Sequence, residues 1–190
     1  MTPVHGVDRI VPMVLVGLLV LLEMYASRRR RESEPSKDRG TLVAMYLLIG
    51  AAYGVGFSQW GRGPPAPYLG AWALWVGAAI GLAGVALRLW SVAVLGQYFT
   101  YVVKVSPDQK VVETGPYRLI RHPSYTGALL IAVGIALSLR YAWALPIVVL
   151  PNLAAYLIRI PVEERALAQG IGEPYRAYMA RTKRLIPHLW

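Results

Sequence analysis

The sequence predicts an all-α integral membrane protein with about five transmembrane helices, and three observations carry that expectation. Of its 190 residues, 56% are hydrophobic and only 16% charged, with a mean hydropathy of +0.43; soluble domains run at about 45–50% apolar and about 25% charged. The apolar residues gather in five runs close to the length of a spanning helix, about 17–25 residues. The basic residues fall on alternate sides of those runs, as the positive-inside rule requires.

The first run, Ile10 to Tyr25, stops at Arg28, Arg29, Arg30 and Arg31. It is longer than a signal-peptide core of about 7–15 residues and no A-x-A-like site follows it, so it is expected to be retained. The second, Thr41 to Phe57, is ended by the proline-rich stretch from Gly61 to Pro67. The third, Tyr68 to Leu95, is long enough to span with tilt. The fourth, Pro123 to Leu139, and the fifth, Tyr141 to Ile160, are separated only by Arg140 and are expected to form a tight helical hairpin. Pro146 and Pro151 predict a kink in the fifth. Gly50 with Gly54, and Gly77 with Gly81, have the spacing that lets helix backbones approach, and packing within the bundle is preferred over a homodimer seam.

A net charge of +10 raises the question of nucleic acid. Sorted by loop, however, 17 of the 20 Lys and Arg residues fall on one side, counting Arg88 near the third helix end, and only Arg9, Arg62 and Arg140 on the other. This places the N-terminus outside and the C-terminus in the cytoplasm, with the inner membrane as the location in a prokaryote. The charge is spent on orientation and lipid headgroups, and no basic stripe is left for nucleic acid. Zero cysteines exclude disulfides, thiolate metal sites and a cysteine nucleophile, and three histidines leave little for a metal. Glu23, one turn from the arginine block, reads as an interfacial residue that snorkels or pairs.

Polar residues suited to chemistry lie in two cytoplasmic segments. In Gly96 to Tyr125, Gly115 and Pro116 make a turn, and His122 precedes Pro123 at the start of the fourth helix. That helix start suits a carboxylate or phosphate, while Tyr117 and Tyr125 serve equally well as interfacial anchors. In Arg159 to Trp190, Arg159 and Glu163 share a helical face, which reads first as a juxtamembrane ion pair. Brought against His122 by the hairpin, the same charges would line a polar pocket under a lipid-accessible groove. Pro174 opens a short helix with Tyr175 and Tyr178, expected to lie amphipathically at the interface.

The string GPYRLIRHPSYTG at Gly115 to Gly127, followed by EERAL at Glu163 to Leu167 and GEPYRAY at Gly172 to Tyr178, resembles the isoprenylcysteine carboxyl methyltransferase family, itself similar to phospholipid methyltransferases. The resemblance covers roughly Leu95 to Pro187. It implies two parts: residues 1–95 as three N-terminal spans, and residues 96–190 as a methyltransferase region with a cytoplasmic cofactor pocket. It implies S-adenosylmethionine as methyl donor without a dinucleotide-type fold, and the chain has no G-x-G-x-x-G fingerprint. Carried over by motif, His122, Pro123, Ser124 and Tyr125 belong to the cofactor block. Tyr117 is its upstream tyrosine, Gln109, Lys110, Val111 and Val112 a backbone-contacting run, and Glu163 a cofactor-contacting glutamate. Arg159 is implied at the substrate carboxylate, and Glu164 shares or exchanges the role of Glu163. Where eukaryotic relatives have a histidine and a glutamine, this chain has Gln109 and Lys104, so Lys104 is carried over by position alone.

The resemblance implies a lipophilic carboxylate, such as an isoprenylated thioether acid, as acceptor, with membrane lipids as surroundings, no metal, and a monomer or homodimer. A phospholipid amine or small thiol is the alternative acceptor. An amine must first lose a proton, which would require Glu164 or His122 as base. A non-catalytic scaffold or a small transporter is the alternative of another class. Transport is disfavoured because no charged residue lies deep in a span and no inverted repeat is evident.

Overall fold

The computed structural model describes residues 6–28, 39–58, 67–99 and 109–187. Among these every regular element is helical: α1 (Gly6–Arg28), α2 (Arg39–Ser58), α3 (Ala71–Leu95), α4 (Pro123–Ser138), α5 (Ala144–Gly170) and α6 (Glu173–Arg181), with short 3-10 turns at Gly96–Tyr98 and Gly115–Arg118. Pairing of extended chain among the described residues is limited to two isolated bridges, Tyr68 with Tyr141 and Ile120 with Lys183. Among the described residues two helices are long and apolar enough to cross a membrane: α3 with the turn that follows it, and α5. At about 1.5 Å per residue both exceed a hydrocarbon core of about 30 Å. The apolar parts of α1, α2 and α4 are shorter, Ile10–Tyr25, Val43–Ser58 and Pro123–Ser138.

The centre of the bundle is an antiparallel crossing of α3 on α4 made by glycines seven residues apart on each helix. A Cβ on Gly77 would lie 2.6 Å from the Gly134 carbonyl oxygen, and one on Gly84 would lie 2.6 Å from that of Gly127. Without side chains at these points the backbones touch, which in lipid replaces the missing hydrophobic drive between helices. α5 packs on α4 and α2 on α5, while α1 lies against both α3 and α4. Leu15 and Leu22 of α1 meet Val85, Ile131 and Ile135 in one buried cluster.

Gly81 packs inside the bundle, with Leu15 in the space where its Cβ would stand. Gly50 and Gly54 do not follow the expectation of in-bundle packing: both are exposed, and nothing would meet a Cβ at either. The α4–α5 hairpin forms as its single intervening charge predicts. Arg140 turns the chain at φ 63, its carbonyl accepts from Leu69 N–H at 2.8 Å, and its guanidinium lies 4.7 Å from the Tyr68 ring centre. Pro146 falls in the first turn of α5, where a missing N–H leaves no bond unmade, so it has no kink to cause. The helix continues through Pro151 and Pro161 as far as Gly170, ten residues beyond the predicted end of the fifth span.

Candidate active site

The polar candidates Gln109, Tyr117, His122, Ser124, Tyr125, Arg159 and Glu163 gather where the start of α4 meets the later part of α5, away from the Arg140 turn. There α5 presents one stripe, Asn152, Tyr156, Arg159, Glu163 and Leu167, at spacings of four, three, four and four that hold a single helical face. Opposite stands the first turn of α4. The Tyr125 hydroxyl donates to Glu163 Oε2 at 2.7 Å, and Arg159 lies at the same hydroxyl. The rings of His122, Tyr125 and Tyr156 form a ladder, with centroids 5.6 and 4.8 Å apart. Between these walls and α1 and α2 lies a cavity of about 630 Å³. Its polar end carries Gln109, Tyr117, His122, Ser124, Tyr125, Arg159 and Glu163, and its other end is walled by apolar residues such as Val16, Leu19, Met45 and Ile49.

Glu163 and Glu164 are separated by their position on α5. One residue on turns the side chain by about 100°, so Glu164 leaves the cavity wall and is buried at 2% exposure in a cluster of cations. Arg121 Nε donates to its Oε1 at 2.8 Å, Arg184 Nε and Nη2 donate to its Oε2 at 3.0 and 2.9 Å, and His122 Nε2 lies 3.3 Å from Oε1. These contacts tie the chain after α6 to the turn before α4. The strap continues through backbone bonds from Arg121 N–H to Lys183 and from His122 N–H to Arg184, at 2.7 and 3.0 Å. The Arg121 guanidinium also reaches the Thr182 carbonyl.

α6 differs from the expected interfacial helix: Tyr175 and Tyr178 are buried in the protein, and the Tyr178 hydroxyl donates to the Tyr117 carbonyl at 2.7 Å. Burial, with Glu163 next, pushes the Tyr117 phenol up; burial does the same for Tyr175 and Tyr178. All three stay protonated at neutral pH. Gly115 opens this turn at φ 57, a left-handed conformation glycine adopts freely.

Gln109, Tyr117, His122, Ser124, Tyr125, Arg159 and Glu163 therefore converge on one cavity. Lys110, Val111, Val112 and Pro123 are close in sequence to lining residues without lining the cavity themselves, and Lys104 lies outside the described residues. Sequence reasoning missed Arg88. It lies buried at 5% exposure in α3, eighteenth of 25 residues and seven before the helix end near which the count by loop put it. Its guanidinium pairs with Glu23 of α1 and donates to Ser124 O and Oγ at 3.1 and 3.0 Å. Glu23 is thus paired, as foreseen, but toward the cavity. A single arginine within a long apolar run was the available signal, and the sorting of charges by loop absorbed it.

The model of the "Isoprenylcysteine carboxyl methyltransferase (ICMT) family" matches residues 76–169. A "Probable protein-S-isoprenylcysteine O-methyltransferase" of Oryza sativa subsp. indica is 31% identical over 117 residues, covering 60% of this chain and 61% of that protein. The "Protein-S-isoprenylcysteine O-methyltransferase B" of Arabidopsis thaliana is 35% identical over 109 residues, covering 55% of this chain and 54% of that protein. The chain thus spans less than two thirds of the length of these curated relatives. A solved structure of "the eukaryotic intramembrane Ras methyltransferase ICMT" superposes with a TM-score of 0.70 over 98% of this chain and 70% of that one, at 19% identity, a likeness of fold. The matched segment runs from α3 through the first turn of α4 to the Arg159–Glu164 end of α5, and over that segment the chain is similar to the isoprenylcysteine carboxyl methyltransferase family.

Proposed function

We propose that this chain is an S-adenosylmethionine-dependent O-methyltransferase that esterifies the carboxylate of a lipophilic, isoprenylcysteine-like substrate from the cytoplasmic face of a membrane. The observation that carries this reading is a cavity with a charged, aromatic end and an apolar end. A volume of about 630 Å³ falls within the range of small-molecule sites. The polar end fits the donor: Glu163 offers a carboxylate for its cationic groups, the aromatic ladder offers π-faces, and the N-terminus of the 16-residue α4 offers a positive dipole end. S-adenosylmethionine bound there supplies a methyl group on a sulfonium, already activated for in-line displacement.

Arg159 then orients the acceptor carboxylate against that methyl group, since a guanidinium matches a carboxylate bidentately. A carboxylate is ionised at neutral pH and asks no base of the protein. An amine acceptor would need one, and the two nominated groups, Glu164 and His122, face each other within a cluster that also holds Arg121 and Arg184. That favours the carboxylate. The remaining work is positioning and exclusion of water, supplied by the buried walls of α4 and α5. Five spans with the N-terminus outside fit the distribution of basic residues, and put the polar end on the cytoplasmic side. Residues 96–190 supply most of the polar groups and residues 1–95 the apolar wall, with Glu23 and Arg88 as exceptions.

The test is incubation of detergent-purified protein with methyl-labelled S-adenosylmethionine and, separately, a farnesylated thioether acid, phosphatidylethanolamine and a small alkyl thiol. Base-labile label in the acid alone is expected. Label in the amine or thiol, or none in any acceptor, would overturn the reading.

A further inference from the structure

We propose that Glu23 and Arg88 form a positioning pair that sets the first turn of α4, so that binding of the methyl donor depends on the first helix. The inference rests on the donor reading above. Arg88 lies where a charge is expensive, in a predominantly apolar helix with its side chain only 7% exposed, and charges held at such places are retained for a task. Adhesion between α3 and α4 is an insufficient task, because Gly84 and Gly127 already bring the two backbones into contact one turn away.

The guanidinium uses its forked geometry instead. Nη1 donates to both the carbonyl and the hydroxyl of Ser124, and Nη2 pairs with Glu23. Ser124 stands between His122 and Tyr125, whose side chains both enter the cavity. Fixing the backbone at Ser124 therefore fixes the spacing of the two groups proposed to meet the donor. Glu23 compensates the buried cation, and its second oxygen accepts from the Tyr46 hydroxyl of α2 at 3.3 Å. Four helices are thereby referenced to one peptide of the site. Neither Glu23 nor Arg88 needs to touch the reacting atoms for this; they act through Ser124.

The experiment compares the native chain with Glu23→Gln, Glu23→Asp and Arg88→Lys by calorimetric titration of S-adenosylhomocysteine, by methyl-transfer kinetics, and by hydrogen exchange of a peptide covering residues 119–130 without ligand. In Glu23→Gln the affinity and the donor KM are expected to worsen about tenfold, the scale of one charged hydrogen bond, while kcat at saturating donor stays within about twofold. Exchange in the 119–130 peptide rises. Glu23→Asp recovers most of the affinity. Arg88→Lys keeps the charge but loses the fork to Ser124, and is expected to bind as poorly as Glu23→Gln while still folding, as a cooperative melting transition would show. Native-like affinity and exchange in Glu23→Gln and Arg88→Lys would overturn the pair's role. Absence of binding by the native chain would instead overturn the donor reading on which it rests.

Discussion

Tyr125 donates its hydroxyl to Glu163 at 2.7 Å, joining the first turn of α4 to the far end of α5 across the polar end of the cavity. A group that bonds this carboxylate also orients it for a cationic ligand. Tyr125→Phe is expected to weaken S-adenosylhomocysteine binding about tenfold, and Glu163→Ala at least as much, since hydrogen bonds to charged groups carry that scale. Isothermal titration calorimetry checks both. Unchanged affinity in the two variants together would sink the assignment.

Glu164 is expected to behave differently from its neighbour because removing it leaves Arg121 and Arg184 facing each other around a buried void. Breaking a buried ion pair costs about 3–5 kcal/mol, and here it also loosens the strap from Lys183 and Arg184 to the turn before α4. Glu164→Ala should lower the thermal unfolding temperature in detergent strongly, while Glu163→Ala leaves it close to native. The reverse ranking would mean that the two glutamates exchange roles.

The residues that could be read from sequence are those whose signal is local. The RHPSY string marked the α4 start, because proline at a first helical position and a preceding polar residue are legible without tertiary information. Arg140 alone between two apolar runs made the hairpin legible in the same way. The Glu163 and Glu164 roles were not separable, since adjacent residues differ only by about 100° of helix rotation and the partners that decide their direction, Tyr125 on one side and Arg121 with Arg184 on the other, are distant in sequence. Arg88 and Glu23 are 65 residues apart, and counting charges by loop placed both at the interface before their partnership could be seen. Gly77 and Gly81 were noticed for their spacing of four, and both meet Gly134 of α4; Gly84, which carries the crossing on to Gly127, was not, because its role is fixed by the partner helix.

Arg159 sits on the cavity face of α5, 2% exposed and one turn before Glu163. If it orients the acceptor carboxylate, its loss removes alignment at the reacting centre, where a misplacement of about 1 Å costs about 100-fold. Arg159→Ala is expected to lower kcat/KM for the acid acceptor by about that factor while donor affinity, read by calorimetry, falls only a few-fold. Equal losses in the two measurements would place Arg159 with the donor instead.

The glycine crossing makes a prediction about stability alone. Gly84→Ala puts a Cβ 2.6 Å from the Gly127 carbonyl oxygen and 2.8 Å from the Ile131 nitrogen, both backbone atoms that cannot turn aside. Overpacking of this kind costs about 1–3 kcal/mol. Gly54→Ala meets nothing and removes a flexible residue from a helix, so a neutral or slightly favourable change is expected. Thermal unfolding of the two single variants checks the contrast, and a destabilised Gly54→Ala would show that its exposed face is packed in the membrane by another molecule.

Tyr178 gives the strap a dependence on alkaline pH. Its phenol is pushed above the ordinary value of 10.0, first by burial, and it serves as donor to the Tyr117 carbonyl. The folded state thus holds the proton more tightly than the unfolded one, so the stability it contributes is complete below about pH 10 and is lost as pH climbs above that toward the raised folded value. Tyr178→Phe removes both the bond and its titration. At pH 7 this variant is expected to unfold at a lower temperature than the native chain, by about the 1 kcal/mol of one hydrogen bond to a backbone carbonyl. Between pH 10 and 11 the gap should narrow, because the phenol exposed on unfolding the native chain ionises there and favours the unfolded state, while the variant has no phenol at this position. Melting curves of both proteins at pH 7, 9, 10 and 11 measure the effect, and a gap that stays constant across that range would show that the Tyr178 hydroxyl is not the buried donor that holds Tyr117.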